Sequence, residues 1–174
     1  MQSRVWNQVA CLLGLMCAQS LAGQVRRAPS LLPPWAIDQD AFAPESLTRL
    51  SGVGLGHSLD SVIRLLGAPE RQSRYHSEIL DSVVVLEYGF GRLLLDAYGV
   101  QDFDCWGEPC ELGGIHVGTT LRVVVDVAGR GRSGYGSEPT RLLIYPIRDC
   151  DCWVQVEFGD DERVRELGIH FDNS

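Results

Sequence analysis

The residues best suited to chemistry are four cysteines and two histidines. Cys105 and Cys110 form one close pair, and Cys150 and Cys152 form another. The histidines recur in matching contexts, Gly114-Ile115-His116-Val117 and Gly168-Ile169-His170-Phe171. Thiols so placed could hold zinc or close disulfides. Cys-x4-Cys together with Cys-x-Cys is poor zinc spacing. An even count in an exported chain reads as two disulfides. On an extended strand, residues i and i+2 have Cα atoms about 7 Å apart, at the edge of bridging reach. That favours cross-pairing, one of Cys105 and Cys110 to each of Cys150 and Cys152. Local pairing of Cys105 with Cys110 stays open.

Patterns for catalysis are missing. There is no Gly-x-Ser-x-Gly elbow and no His-Glu-x-x-His helix. Gly129 to Gly136 lacks the lysine and the strand–helix frame of a phosphate loop. Asp149-Cys150-Asp151 and Gly159-Asp160-Asp161 fall short of the ligand count of a calcium loop. His116 and His170, at repeated positions, point to one repeated structural role. The expectation is a chain with no catalytic residue, no metal and no cofactor.

The start of the chain sets the compartment. Arg4, an apolar stretch from Val9 to Leu21, and Ser20-Leu21-Ala22 have the form of a signal peptide, residues 1–22. The apolar run is too short for a membrane span. No lipoprotein box precedes Cys11 or Cys17, so no stable membrane anchor is expected. The localisation implied is periplasmic or secreted. With Arg4 removed, 14 of the 15 basic residues remain against 23 acidic ones, a net of about −9. Every basic residue is an arginine. This balance argues against nucleic acid and suits a basic protein partner.

These residues need elements to position them. Residues 23–50 form a proline-rich leader, with Pro29, Pro33, Pro34 and Pro44. Trp35 and Phe42 are candidates to pack it onto the body. Beyond it the sequence repeats itself. Gly56 and Gly118, Ser58 and Thr120, Leu59 and Leu121, Val62 and Val124, and Gly67 and Gly129 are each 62 positions apart. Ser58 is a good N-cap, the apolar residues that follow make one helical stripe, and Gly67 with Pro69 ends the helix. The second copy predicts a helix from Thr120 to Gly129, with a strand as the alternative because Val123 to Val125 is β-branched. Strands are expected at 83–88, 92–99, 112–117, 141–145, 153–158 and 164–171.

The run Gly54 to Pro69 resembles the opening motif of the β-lactamase-inhibitor-protein-like fold, shared by the small outer-membrane assembly proteins of the SmpA/OmlA family. The resemblance implies an α+β fold: two tandem helix-plus-antiparallel-meander units forming a curved sheet backed by helices. The units would span residues 51–117 and 118–174.

Strand alternation assigns an aliphatic face to the helices and a mixed face to the outside. The outer face is expected to carry Arg92, Asp96, Tyr98, Arg141, Tyr145, Trp153 and Glu157, with His116, Gln155 and His170 beside them. Asp102, Phe103, Asp104 and Trp106 belong to a second candidate, the loop from Gln101 to Cys110. Tyrosine, tryptophan and arginine are the residues that anchor protein interfaces. The functional expectation is an exported, non-catalytic inhibitor of an enzyme, in its most specific form a periplasmic immunity protein against a delivered toxin or hydrolytic enzyme. An envelope scaffold for outer-membrane assembly is the alternative.

Overall fold

The computed structural model describes residues 32–77, 81–133 and 141–171. The expected signal peptide, the leader up to residue 31 and the glycine-rich loop from residue 134 lie outside the described residues.

Helix α1 (Leu59–Leu66) starts where Ser58 accepts a hydrogen bond from the Ser61 N–H and ends at Gly67. Four antiparallel strands follow: β1 (Arg71–Ser77), β2 (Asp81–Tyr88), β3 (Gly91–Asp96) and β4 (Gly99–Cys105). A small separate hairpin, β5 (Glu111–Leu112) with β6 (Ile115–His116), stands where one strand was expected. Helix α2 (Leu121–Ala128) forms despite its valines, because Leu121, Val124 and Ala128 bury one stripe. Burial of that stripe outweighs the weak helix propensity of the β-branched run. The last strands are β7 (Arg132–Ser133), β8 (Arg141–Pro146), β9 (Cys152–Phe158) and β10 (Val164–Phe171).

The fold departs from two helix-backed units. Among the described residues, the eight strands outside the β5–β6 hairpin form one continuous antiparallel sheet in the order β1-β2-β3-β4-β10-β9-β8-β7. The joint is the pairing of β4 with β10, which sets Leu167 opposite Cys105, Gly168 opposite Asp104, Ile169 opposite Phe103 and His170 opposite Asp102. Each helix has eight residues, a length of about 12 Å. Eight strands span roughly 34 Å across at the usual spacing, so two such helices cannot back the sheet.

The leader does much of that work. Leu32, Ala36, Leu47 and Leu50 are buried in one cluster with the sheet, and Val53, Val62, Leu112, Ile115 and Val124 complete it. Two backbone bridges tie the leader down, Ile37 with Gly131 and Leu50 with Leu112. Trp35 and Phe42 stay partly exposed. They are met from outside by arginines, Arg122 over Trp35 and Arg132 and Arg148 over Phe42.

The cysteines pair locally. Cys105 bonds Cys110 and Cys150 bonds Cys152, with Cα separations of 6.0 and 5.2 Å. The favoured cross-pairing is therefore replaced. Its premise was an extended Cys150, but Cys150 lies in the turn before β9, next to Asp149 with φ 59°. The turn shortens the i, i+2 distance enough for a bond.

Candidate functional site

The side of the sheet facing away from the leader and helices carries the polar residues. Its centre is the β4–β10 seam. Asp102 and Asp104 alternate with the buried Phe103 and Cys105 on β4. Gly168 and His170 alternate with the buried Leu167 and Ile169 on β10. Cross-strand register then adds Arg92 opposite Asp104, Trp153 opposite His170, Gln155 opposite Gly168 and Glu157 opposite Glu166.

His170 is held from three sides. Its Nδ1 is hydrogen-bonded to Asp102 Oδ1 at 3.2 Å, and its buried Nε2 lies 3.4 Å from Asp104 Oδ1 without a hydrogen bond. The Trp153 indole stacks on the imidazole with centroids 5.5 Å apart. The fit depends on Gly168, since a Cβ there would run into His170 Nε2. Arg92 reaches Asp104 at 3.5 Å, and Arg165 contacts Glu157 directly. Burial, reinforced by the negative charges of Asp104 and Glu157, raises the Glu166 carboxyl above the usual glutamate range. Four carboxylates (Asp102, Asp104, Glu157, Glu166) thus face two guanidinium groups around one histidine and one indole.

A histidine oriented by an aspartate can serve as a proton relay when its second nitrogen meets a substrate. Here both ring nitrogens face carboxylates and the ring face is covered. The arrangement suits a clamp that fixes Trp153 and the acids in place. Among the described residues no group of three or more His, Cys, Asp or Glu side chains is placed to hold a metal ion.

Of the nine expected contact residues, Arg92, Asp104, Trp153 and Glu157 meet in this patch. Asp96 instead braces the β3–β4 turn, accepting from the Tyr98 N–H at 2.7 Å and from Gln101 Nε2 at 2.9 Å. Tyr98 sits on that turn and is 85% exposed. Trp106 follows the other end of β4, about 20 Å away along the strand, so the two rings form no common surface.

Three assignments are corrected. Tyr145 is fully buried and Arg141 lies on the same, inner side of β8. Leu142-Leu143-Ile144 is a continuous aliphatic run without alternation, so either phase of the strand fits the pattern. The core chooses the tyrosine because its O–H reaches Gly129 O at 3.0 Å, which satisfies the polar end. Arg141 sits at the sheet margin, 3.4 Å from Glu162. His116 is exposed on the small hairpin, so it is not the counterpart of His170. Arg165 and Glu166 were missed, and Asp102 was assigned to a loop where the structure has strand β4. Asp102 and Glu166 would have emerged from recognising β4 as a strand and pairing it with β10.

No family model matches this sequence, and no curated protein does. Among solved structures, an extracellular protein containing an SCP domain from Bacillus anthracis aligns over 68% of this chain with a TM-score of 0.52 at 13% identity. A cysteine-rich secretory protein from Staphylococcus aureus aligns over 78% with a TM-score of 0.50 at 12% identity. The chain spans 44% and 50% of those two proteins. A DUF4309 family protein of Bacillus subtilis scores 0.41. These likenesses concern the fold.

Proposed function

We propose that this chain is an exported binding protein that takes a basic protein partner on the outer face of its sheet. The supporting observation is the seam patch, where acids outnumber arginines around an indole fixed by His170. A chain of net charge −8 steers a cationic surface toward itself and speeds encounter. Trp153 supplies an aromatic anchor, and its stacking on His170 removes part of the entropy cost of ordering it on binding. Two disulfides fit an oxidising compartment. In the most specific form of the reading, the compartment is the periplasm and the partner is an enzyme or toxin whose cleft the sheet face covers. Inhibition is then steric and no bond is made or broken.

The test is a titration. The partner captured through the outer face is purified separately and assayed with increasing amounts of this protein. The expected result is loss of activity that saturates at one equivalent, and weaker inhibition by Trp153→Ala. A complex that forms at full enzymatic activity removes the inhibitor reading. A partner found in the outer membrane would favour the scaffold alternative.

A further inference from the structure

A cleft of about 410 Å³ opens beside the β2–β3 turn, between the end of α1 and the Cys105–Cys110 loop. Two stacked rings line it, Tyr88 and Phe90, with centroids 5.1 Å apart and planes 25° from parallel. The Tyr88 O–H donates to Gly67 O at 3.1 Å, and the backbone N–H of Trp106 donates to the backbone carbonyl of Phe90 at 2.8 Å. Two carboxylates flank the rings. Glu70 lies over Gly89, its Oε1 2.8 Å from where a Cβ would stand, and Glu108 comes from inside the disulfide loop. Both are exposed, and among the described residues neither has a cationic partner.

A second cleft, of about 480 Å³, shows what such a lining does when the chain supplies its own cation. Tyr145 donates to Gly129 O as Tyr88 donates to Gly67 O, and Ile147 follows it by two residues as Phe90 follows Tyr88. Ile147 lines this cleft together with Phe42, Asp40, Glu45 and Arg148. The guanidinium carbons of Arg148 and Arg132 lie 4.7 and 5.0 Å from the Phe42 ring centre. One cleft therefore combines a ring, two carboxylates and arginine. The other combines two rings and two carboxylates, and among the described residues no arginine lines it.

We propose that the Tyr88–Phe90 cleft receives an arginine side chain from a polypeptide partner. A guanidinium is planar, stacks on an aromatic face and offers a fork of donors to carboxylates on either side. A lysine ammonium, more strongly hydrated and without that plane, fits less well. The site is distinct from the seam patch, so either can fail without the other. One solvated contact of this kind is weak, and an isolated arginine amide is expected to bind in the millimolar range.

The experiment titrates the intact, oxidised protein with N-acetyl-arginine amide and, separately, with its neutral isostere N-acetyl-citrulline amide, reading amide and indole N–H shifts by NMR. Saturable shifts at Gly89, Phe90, Gly107 and Trp106 are expected with the arginine compound alone. The double variant Glu70→Gln/Glu108→Gln, both positions on the surface, is expected to weaken binding at least about tenfold, and Glu45→Gln to leave it unchanged. Equal responses to both compounds, no saturable response, or undiminished binding by the double variant overturns the proposal.

Discussion

His170 keeps its place because residue 168 has no side chain. A Cβ there would meet His170 Nε2, and Asp104 Oδ1 lies 3.3 Å away. The ring has nowhere to retreat, with Trp153 on its face and Asp102 at Nδ1. Gly168→Ala should cost about 1–2 kcal/mol in denaturant unfolding, and much less in a His170→Ala background. Equal cost in both backgrounds would show that the steric reading is mistaken. Glu166 supplies a second prediction. Its folded-state pKa is raised, first by burial and then by Asp104 and Glu157. The folded protein therefore binds that proton more tightly than the unfolded chain does. The stability so gained is complete at low pH and is lost as pH rises through the folded-state value. Glu166→Gln should raise Tm at neutral pH and bring no gain below about pH 4. An equal gain at both pH values contradicts this account of the patch. The sequence carried Trp153 and Glu157 as outward residues because β9 alternates cleanly, and Arg92 because Asp96 repeats its polarity in the same phase across Leu93-Leu94-Leu95. It misplaced Tyr145 because three aliphatic residues in a row carry no phase.

Elements were legible where local chemistry marks their ends. Both helices start after a hydroxyl residue, of which Ser58 caps α1 with its side chain and Thr120 does not cap α2, and both end at a glycine with φ near 80°, the conformation that glycine adopts without strain. β1 escaped notice because Arg71-Gln72-Ser73-Arg74-Tyr75-His76-Ser77 holds no aliphatic residue. It is a strand through its pairing with β2. β4 escaped because its acids resemble a loop, although Val100, Phe103 and Cys105 are buried beneath them. The β3–β4 turn that positions these acids rests on Gly99, at φ 109° and packed against the Gly56 backbone. Gly99→Ala must strain both the dihedral and that contact. A loss of about 2 kcal/mol or more in urea unfolding is expected, and a loss under 0.5 kcal/mol, on the order of a neutral surface change, would refute the packing described.

At the scale of the molecule, the pairing of β4 with β10 converts two runs of strands into one sheet. Distant pairing of this kind leaves no local trace, since a partner strand is chosen by burial and register across the whole chain. The disulfides test the same architecture, because cross-pairing would bind the Cys105 loop to the turn before β9. Arginine positions make the distinction simple. Unreduced tryptic digestion should yield Leu93–Arg122 with its own Cys105–Cys110 bond and Asp149–Arg163 with its own Cys150–Cys152 bond. A single species joining the two peptides would contradict the local pairing. The most direct measurement of the functional account is site-specific photo-crosslinking in the source organism. A photo-reactive residue replaces Gln155, beside the seam patch, or Val127, exposed on α2. One discrete protein adduct from position 155, abolished by Trp153→Ala and absent from position 127, is the result the account predicts. Adducts from position 127 alone, or the same adducts from both positions, would contradict it.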